Sequence, residues 1–91
     1  MNCHVKNDKL KLLAKKLQGL DIDEGIRIEG SLTVGKKIFI NKNTSDIFVV
    51  QLVKVERRRE YNSDFRYFDS PEEVIEFVNL NFKGQLSLAE Y

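Results

Sequence analysis

Apolar residues recur along this chain with two different periods, and the switches between them mark its elements. Leu10, Leu13, Ala14 and Leu17 fall at i, i+3, i+4 and i+7, the stripe of an amphipathic helix. Asn7 or Asp8 can cap its start. Lys15 and Lys16 suit the negative end of its dipole, and Gly19 stands where a left-handed C-cap belongs. The pattern predicts a first helix over about residues 8–18, with Leu20 folding back onto its last turn.

Over residues 26–34 the period becomes two. Ile26, Ile28, Leu32 and Val34 point one way and Arg27, Glu29, Ser31 and Thr33 the other. Gly30 falls on the apolar side, where a bulge or a close backbone crossing would want it. Gly35-Lys36 reads as a tight turn into a short strand over 37–41, and 41–46 as a loop. Residues 47–55 are apolar on both faces for most of their length, which marks an interior strand. Tyr61-Asn62-Ser63-Asp64 reads as a turn into a fourth strand, Phe65-Arg66-Tyr67-Phe68.

Ser70-Pro71-Glu72-Glu73 opens a second helix: a serine N-cap, proline at the first helical position, and a glutamate placed to complete a capping box. Val74, Phe77, Val78 and Phe82 form its stripe and Gly84 its end. In the tail 85–91, Leu86 and Leu88 alternate, so it either pairs as a short extra strand or frays; residues 1–6 are expected to fray. The order predicts one α+β domain over 1–91: an N-terminal helix, a four-stranded antiparallel meander and a C-terminal helix, both helices on one face of the sheet.

Composition agrees with one small core. Of 91 residues, 42% are hydrophobic and 32% charged, which excludes wholesale disorder; with no Trp, the core must be aliphatic and Phe-rich. A lone cysteine, Cys3, forms no internal disulfide, and no stretch approaches the ~20 apolar residues of a membrane span. A soluble, cytoplasmic protein is expected. Net charge is +1, but the chain is basic at its front (Lys6, Lys9, Lys11, Lys15, Lys16) and acidic at its back (Glu72, Glu73, Glu76, Glu90). If the two helices run side by side, that asymmetry has a structural explanation.

Candidate chemistry fails on particular residues. Residues 30–36 match the start of a phosphate-binding P-loop, but Lys37 stands where a magnesium-binding hydroxyl is needed, and a strand pattern follows instead of a helix. The acidic run 21–24 lacks the spaced glycine and terminal acid of a calcium loop. Cys3 and His4 have no second cysteine or histidine to complete a zinc site. Asp46, Glu56, Asp64 and Asp69 lie near predicted strand ends, with nothing to set any of them in an apolar pocket. No enzyme, cofactor or metal is expected.

One segment carries a positive signal. Lys54, Arg57, Arg58, Arg59 and Arg66 interleave with Tyr61, Phe65, Tyr67 and Phe68 in the third hairpin. Arginine and aromatic side chains are favoured interface anchors, which makes Lys54, Arg57, Arg58, Arg59, Tyr61, Arg66 and Tyr67 the candidate partner-binding set. The same residue types hold single-stranded nucleic acid elsewhere, although Glu56 and Glu60 flank the run and repel phosphate.

The order of helix, sheet and helix resembles a double-stranded-RNA-binding domain. That family begins its second helix with phosphate-binding lysines, whereas this chain has Ser70-Pro71-Glu72-Glu73 there. In size and simplicity the chain is similar to small accessory proteins of phages and archaeal viruses, among them inhibitors of host defence. The expectation is a non-enzymatic interaction protein, monomeric or homodimeric, binding a protein or nucleoprotein partner. Direct nucleic-acid binding through the same hairpin and the lysines of the first helix is the alternative.

Overall fold

The computed structural model describes residues 3–30, 33–82 and 84–91, and of these 3–7, 33–34 and 62–63 by their backbone alone. Two helices and five strands follow in the order α1 (Cys3–Gln18), β1 (Gly25–Gly30), β2 (Thr33–Lys42), β3 (Phe48–Glu56), β4 (Arg59–Phe68), α2 (Pro71–Asn81) and β5 (Leu86–Glu90). The fold is α+β, with one antiparallel sheet in the order β4-β3-β2-β1-β5. The expected meander of four strands is therefore one strand short. The tail carrying Leu86 and Leu88 does not fray but pairs with β1, Ile28 opposite Leu88 and Gly30 opposite Leu86. Two backbone hydrogen bonds between Gly25 and Tyr91, each 3.0 Å, extend that ladder by one pair.

Of the expected helix caps, the N-cap of α2 falls where the residues call for it; Asn7 and Asp8 lie inside α1 instead of capping it, and Gly19 after α1 does not take the expected left-handed backbone. Ser70 is extended and its Oγ accepts the Glu73 backbone N–H, with Pro71 in the first turn of α2. The helix stops at Asn81, three residues before Gly84, because Phe82 takes an extended backbone and turns its ring inward. At the other end of the chain α1 begins at Cys3, not near residue 8, and so includes most of the segment expected to fray. Residues 3–7 contain neither Gly nor Pro, so the backbone meets no obstacle to propagating the helix. Met1 and Asn2 lie outside the described residues.

Two turns lie elsewhere than the sequence pattern predicts. Continuous alternation over 26–34 suggested a single strand turning at Gly35-Lys36. Instead β1 ends at Gly30, β2 begins at Thr33, and Gly30 pairs with Thr33 across the connection. Gly35 sits within β2, taking φ +91° beside the Val55 carbonyl, a conformation glycine alone adopts without strain. The third hairpin likewise turns at Arg57-Arg58 rather than at 61–64, with Glu56 opposite Arg59. The polar run at 61–64 lies inside β4, where a register shift opposite Leu52 and Val53 absorbs an extra residue as a bulge.

One buried cluster unites the layers. Leu13 and Leu17 from α1, Val74 and Val78 from α2, and Phe82 pack with Ile26, Ile28, Ile38, Ile40 and Val50 from the sheet. The sheet members are directly paired across strands: Ile26 faces Ile40, Ile28 faces Ile38, and Ile40 faces Val50. Directly opposed residues share a face, so the cluster covers one side of the sheet. Gly30 permits a close contact in this core, because a Cβ there would lie 2.7 Å from the Phe82 ring. The bulge expected at Gly30 is present as a register shift after Glu29. The molecule measures 34 × 32 × 20 Å. Among the described residues, no helix is long and apolar enough to cross a membrane.

Candidate interaction surface

The strand register defines the sheet face opposite the core. One row across it reads Ala89, Arg27, Phe39, Gln51 and Phe65. The next reads Tyr91, Gly25, Asn41, Val49 and Tyr67. Aromatic side chains therefore stand at both edges and in the middle. Tyr67 is 65% exposed, Phe65 47% and Tyr91 58%. The Phe39 and Tyr91 rings meet edge to face, their centroids 5.9 Å apart. The Tyr91 ring lies against Gly25, where a Cβ would fall 2.5 Å from it. Its hydroxyl donates a 3.0 Å hydrogen bond to Asn41 Oδ1. Burial of the phenol raises the Tyr91 pKa above its usual 10.0, the bond to Asn41 acting the other way.

A third row, Ser87, Glu29, Lys37 and Val53, carries the charges. Lys37 Nζ reaches Glu60 Oε2 at 2.9 Å and Glu29 Oε1 at 3.7 Å, while Arg27 Nε stands 3.9 Å from Glu29. The Lys37–Glu60 pair links β2 to β4 across β3 and so closes over Val53, which is 3% exposed although it lies on this face. The hydrogen bond to Glu60 holds the Lys37 ammonium above the usual 10.5, with partial desolvation opposing it. Two cations and two carboxylates thus neutralise one another, and the face has an aromatic part and an internally paired ionic part.

The residues singled out in the third hairpin do not form a single surface. Arg57 and Arg58 make the turn itself, at φ +50° and +68°. Arg59 follows at the hairpin end and Tyr61 stands opposite Lys54, all three exposed. Arg66 and Tyr67, neighbours on one strand, point to opposite faces. Tyr67 joins the aromatic rows, whereas Arg66 turns to the helical side, 2.8 Å from Asp64 and 6.0 Å from the centre of the Phe77 ring. The hairpin brings Lys54, Arg57, Arg58, Arg59 and Tyr61 together near its tip and separates Arg66 from Tyr67.

Phe39 and Tyr91 are the surface residues the sequence reasoning missed. The signal for Phe39 was present: it alternates with core residues Ile38 and Ile40, so it must face away from them. Tyr91 could not be placed without knowing that the tail pairs with β1.

Other features carry less chemistry. The acidic run after α1 is a turn in which the Asp21 N–H donates to Glu24 Oε1 at 2.9 Å. The stretch resembling a P-loop continues into β2, so the helix N-terminus that would hold phosphate is replaced by a strand. Lys16 on α1 pairs with Glu90 on β5. A groove of about 630 Å³ runs between the helices, lined by Leu10, Ala14, Pro71 and Ile75 with Asp8, Lys11 and Glu72 at its rim. Its rim carries both signs of charge and selects neither anion nor cation. Among the described residues, no three of His, Cys, Asp and Glu converge as metal ligands would. No protein-family model matches the chain, nor does any curated protein or solved structure.

Proposed function

We propose that this chain is a non-enzymatic interaction protein whose partner is a protein, docked on the uncovered sheet face and reaching the Lys54–Tyr61 end of the third hairpin. In this reading both helices occupy one side of the sheet, and the other is the working surface. The observation that carries it is the aromatic surface of Phe39, Phe65, Tyr67 and Tyr91 beside charges that are already paired. Rigid aromatics supply much contact area at little entropic cost, and they anchor protein interfaces. A nucleic-acid surface would need cations free to meet phosphates. Here Arg27 in an aromatic row and Lys37 in the row beside it are engaged by Glu29 and Glu60.

Direct nucleic-acid binding remains the second reading because Arg57, Arg58 and Arg59 crowd the hairpin tip, all exposed. Affinity capture from lysate with and without nuclease separates the two. A discrete protein retained after nuclease supports the first. Capture that vanishes with nuclease, together with oligonucleotide affinity falling steeply with salt, supports the second. Combining Arg58→Glu with Tyr61→Ala should weaken either kind of capture; unchanged capture would remove the hairpin from the surface.

A further inference from the structure

Among the described residues, the β4 strand forms one edge of the sheet, is ten residues long and has β3 on one side alone. Such an edge presents unpaired backbone donors and acceptors, and proteins ordinarily protect it with charges or bulges. The opposite edge, β5, has five residues, and Glu90 near its end is tied to Lys16 of α1. The charges on β4 have an unusual arrangement. Asp64 and Arg66 flank Phe65, point to the same face and are both exposed at the margin of the sheet.

We propose that β4 pairs antiparallel with β4 of a second copy about a two-fold axis at Phe65, giving a continuous ten-stranded sheet. In that register Phe65 stands opposite Phe65 of the second copy, Asp64 opposite its Arg66, and Arg66 opposite its Asp64. Each charge that would repel an arbitrary edge meets its complement, and the pair forms twice about the axis, so the edge is self-complementary, as an isologous contact requires. On the open face, Phe65 and Tyr67 of the two copies become neighbours and lengthen the aromatic surface. On the helical face, Arg66 beside the axis lines a notch with Phe68, Glu76, Phe77 and Leu80. Leu80 is 77% exposed in the single chain and gains cover there. This pairing does not depend on which partner docks on the open face.

A charge-swap experiment tests it. Sedimentation equilibrium of the wild-type chain should give a dimer that dissociates on dilution. Asp64→Arg alone sets arginine against arginine across the axis, and Arg66→Asp alone sets aspartate against aspartate. Each single variant should dissociate at least about tenfold more readily, because two symmetric pairs turn repulsive. An equimolar mixture of the two variants restores both pairs and should recover the dimer mass as a heterodimer. An intramolecular role for the Asp64–Arg66 pair predicts no such recovery on mixing. Wild-type protein that stays monomeric at millimolar concentration, single variants that remain dimeric, or a mixture that fails to associate would each overturn the proposal. If either variant does not fold, hydrogen exchange on the wild type decides instead. Amides of β4 should become protected as concentration rises, and protection independent of concentration refutes the pairing.

Discussion

Replacing Arg57-Arg58 with Asn-Gly should make the protein more stable. The two arginines form a two-residue hairpin turn with φ of +50° and +68°, closed by the Glu56–Arg59 pair. Positive φ at both positions is the requirement of a type I′ turn, which Asn-Gly meets with least strain. A residue with a Cβ costs roughly 1–2 kcal/mol in this region. Asparagine relieves part of that cost at the first position and glycine nearly all of it at the second. Glycine returns up to about 1 kcal/mol through its freer unfolded chain. The net expectation is a gain of about 1 kcal/mol, or a rise of roughly 4–8 °C in melting temperature for a domain of this size. Thermal melts of Arg57→Asn/Arg58→Gly followed by circular dichroism measure it directly. An unchanged or lower melting temperature would refute the reasoning and imply that the arginine side chains stabilise the turn in a way that offsets the backbone cost. Retaining two strained arginines where Asn-Gly fits better is expected at a functional site. The same variant should therefore bind the partner more weakly while being more stable.

Two further outcomes follow from packing and titration. Gly30→Ala places a methyl group 2.7 Å from the Phe82 ring, itself fully buried in the core, and should cost about 1–3 kcal/mol in a denaturant titration; a neutral effect would mean Phe82 is not seated on β1. Lys37 and Tyr91 both have folded pKa values above their ordinary ones. The unfolded chain therefore loses these protons first as pH rises, and stability that is fully present below about pH 10 should decline above it. The decline should be shallower in Tyr91→Phe. An identical alkaline slope in that variant would contradict the burial of the phenol.

Much of the fold was legible because local signals agreed with tertiary demands. The Leu13–Leu17 stripe, the Ser70-Pro71 cap and the doubly apolar β3 each had one consistent solution, and each is present. The errors arose where a local signal was absent or pointed elsewhere. No propensity marks Arg57-Arg58 as a turn, since arginine disfavours positive φ; the fold imposes it. Asn62-Ser63 has turn-forming residues but occupies a bulge, which a polar run permits equally well. The fifth strand rests on two alternating leucines, too short a pattern to distinguish pairing from fraying without the β1 edge that receives it. The candidate surface was half legible for a related reason. Arginine and aromatic clustering directed attention to the third hairpin, yet period two along β4 already required Arg66 and Tyr67 to part. The aromatic face assembles from β2, β4 and the chain end, segments whose aromatic residues lie 24 or more apart in sequence, and the strand order alone brings them together.

The central claim is that the uncovered aromatic face holds a protein partner. Phe65→Ser/Tyr67→Ser tests it most directly, because both side chains are exposed and their loss should leave the melting temperature within a few degrees of wild type. Capture from nuclease-treated lysate on this variant, on wild type and on an Arg57→Glu/Arg58→Glu tip variant compares the two surfaces. The folded Phe65→Ser/Tyr67→Ser protein should lose the wild-type partner. Retention of the same partner at wild-type yield by that variant, with the tip variant losing it, would contradict the claim and move the interface to the hairpin tip.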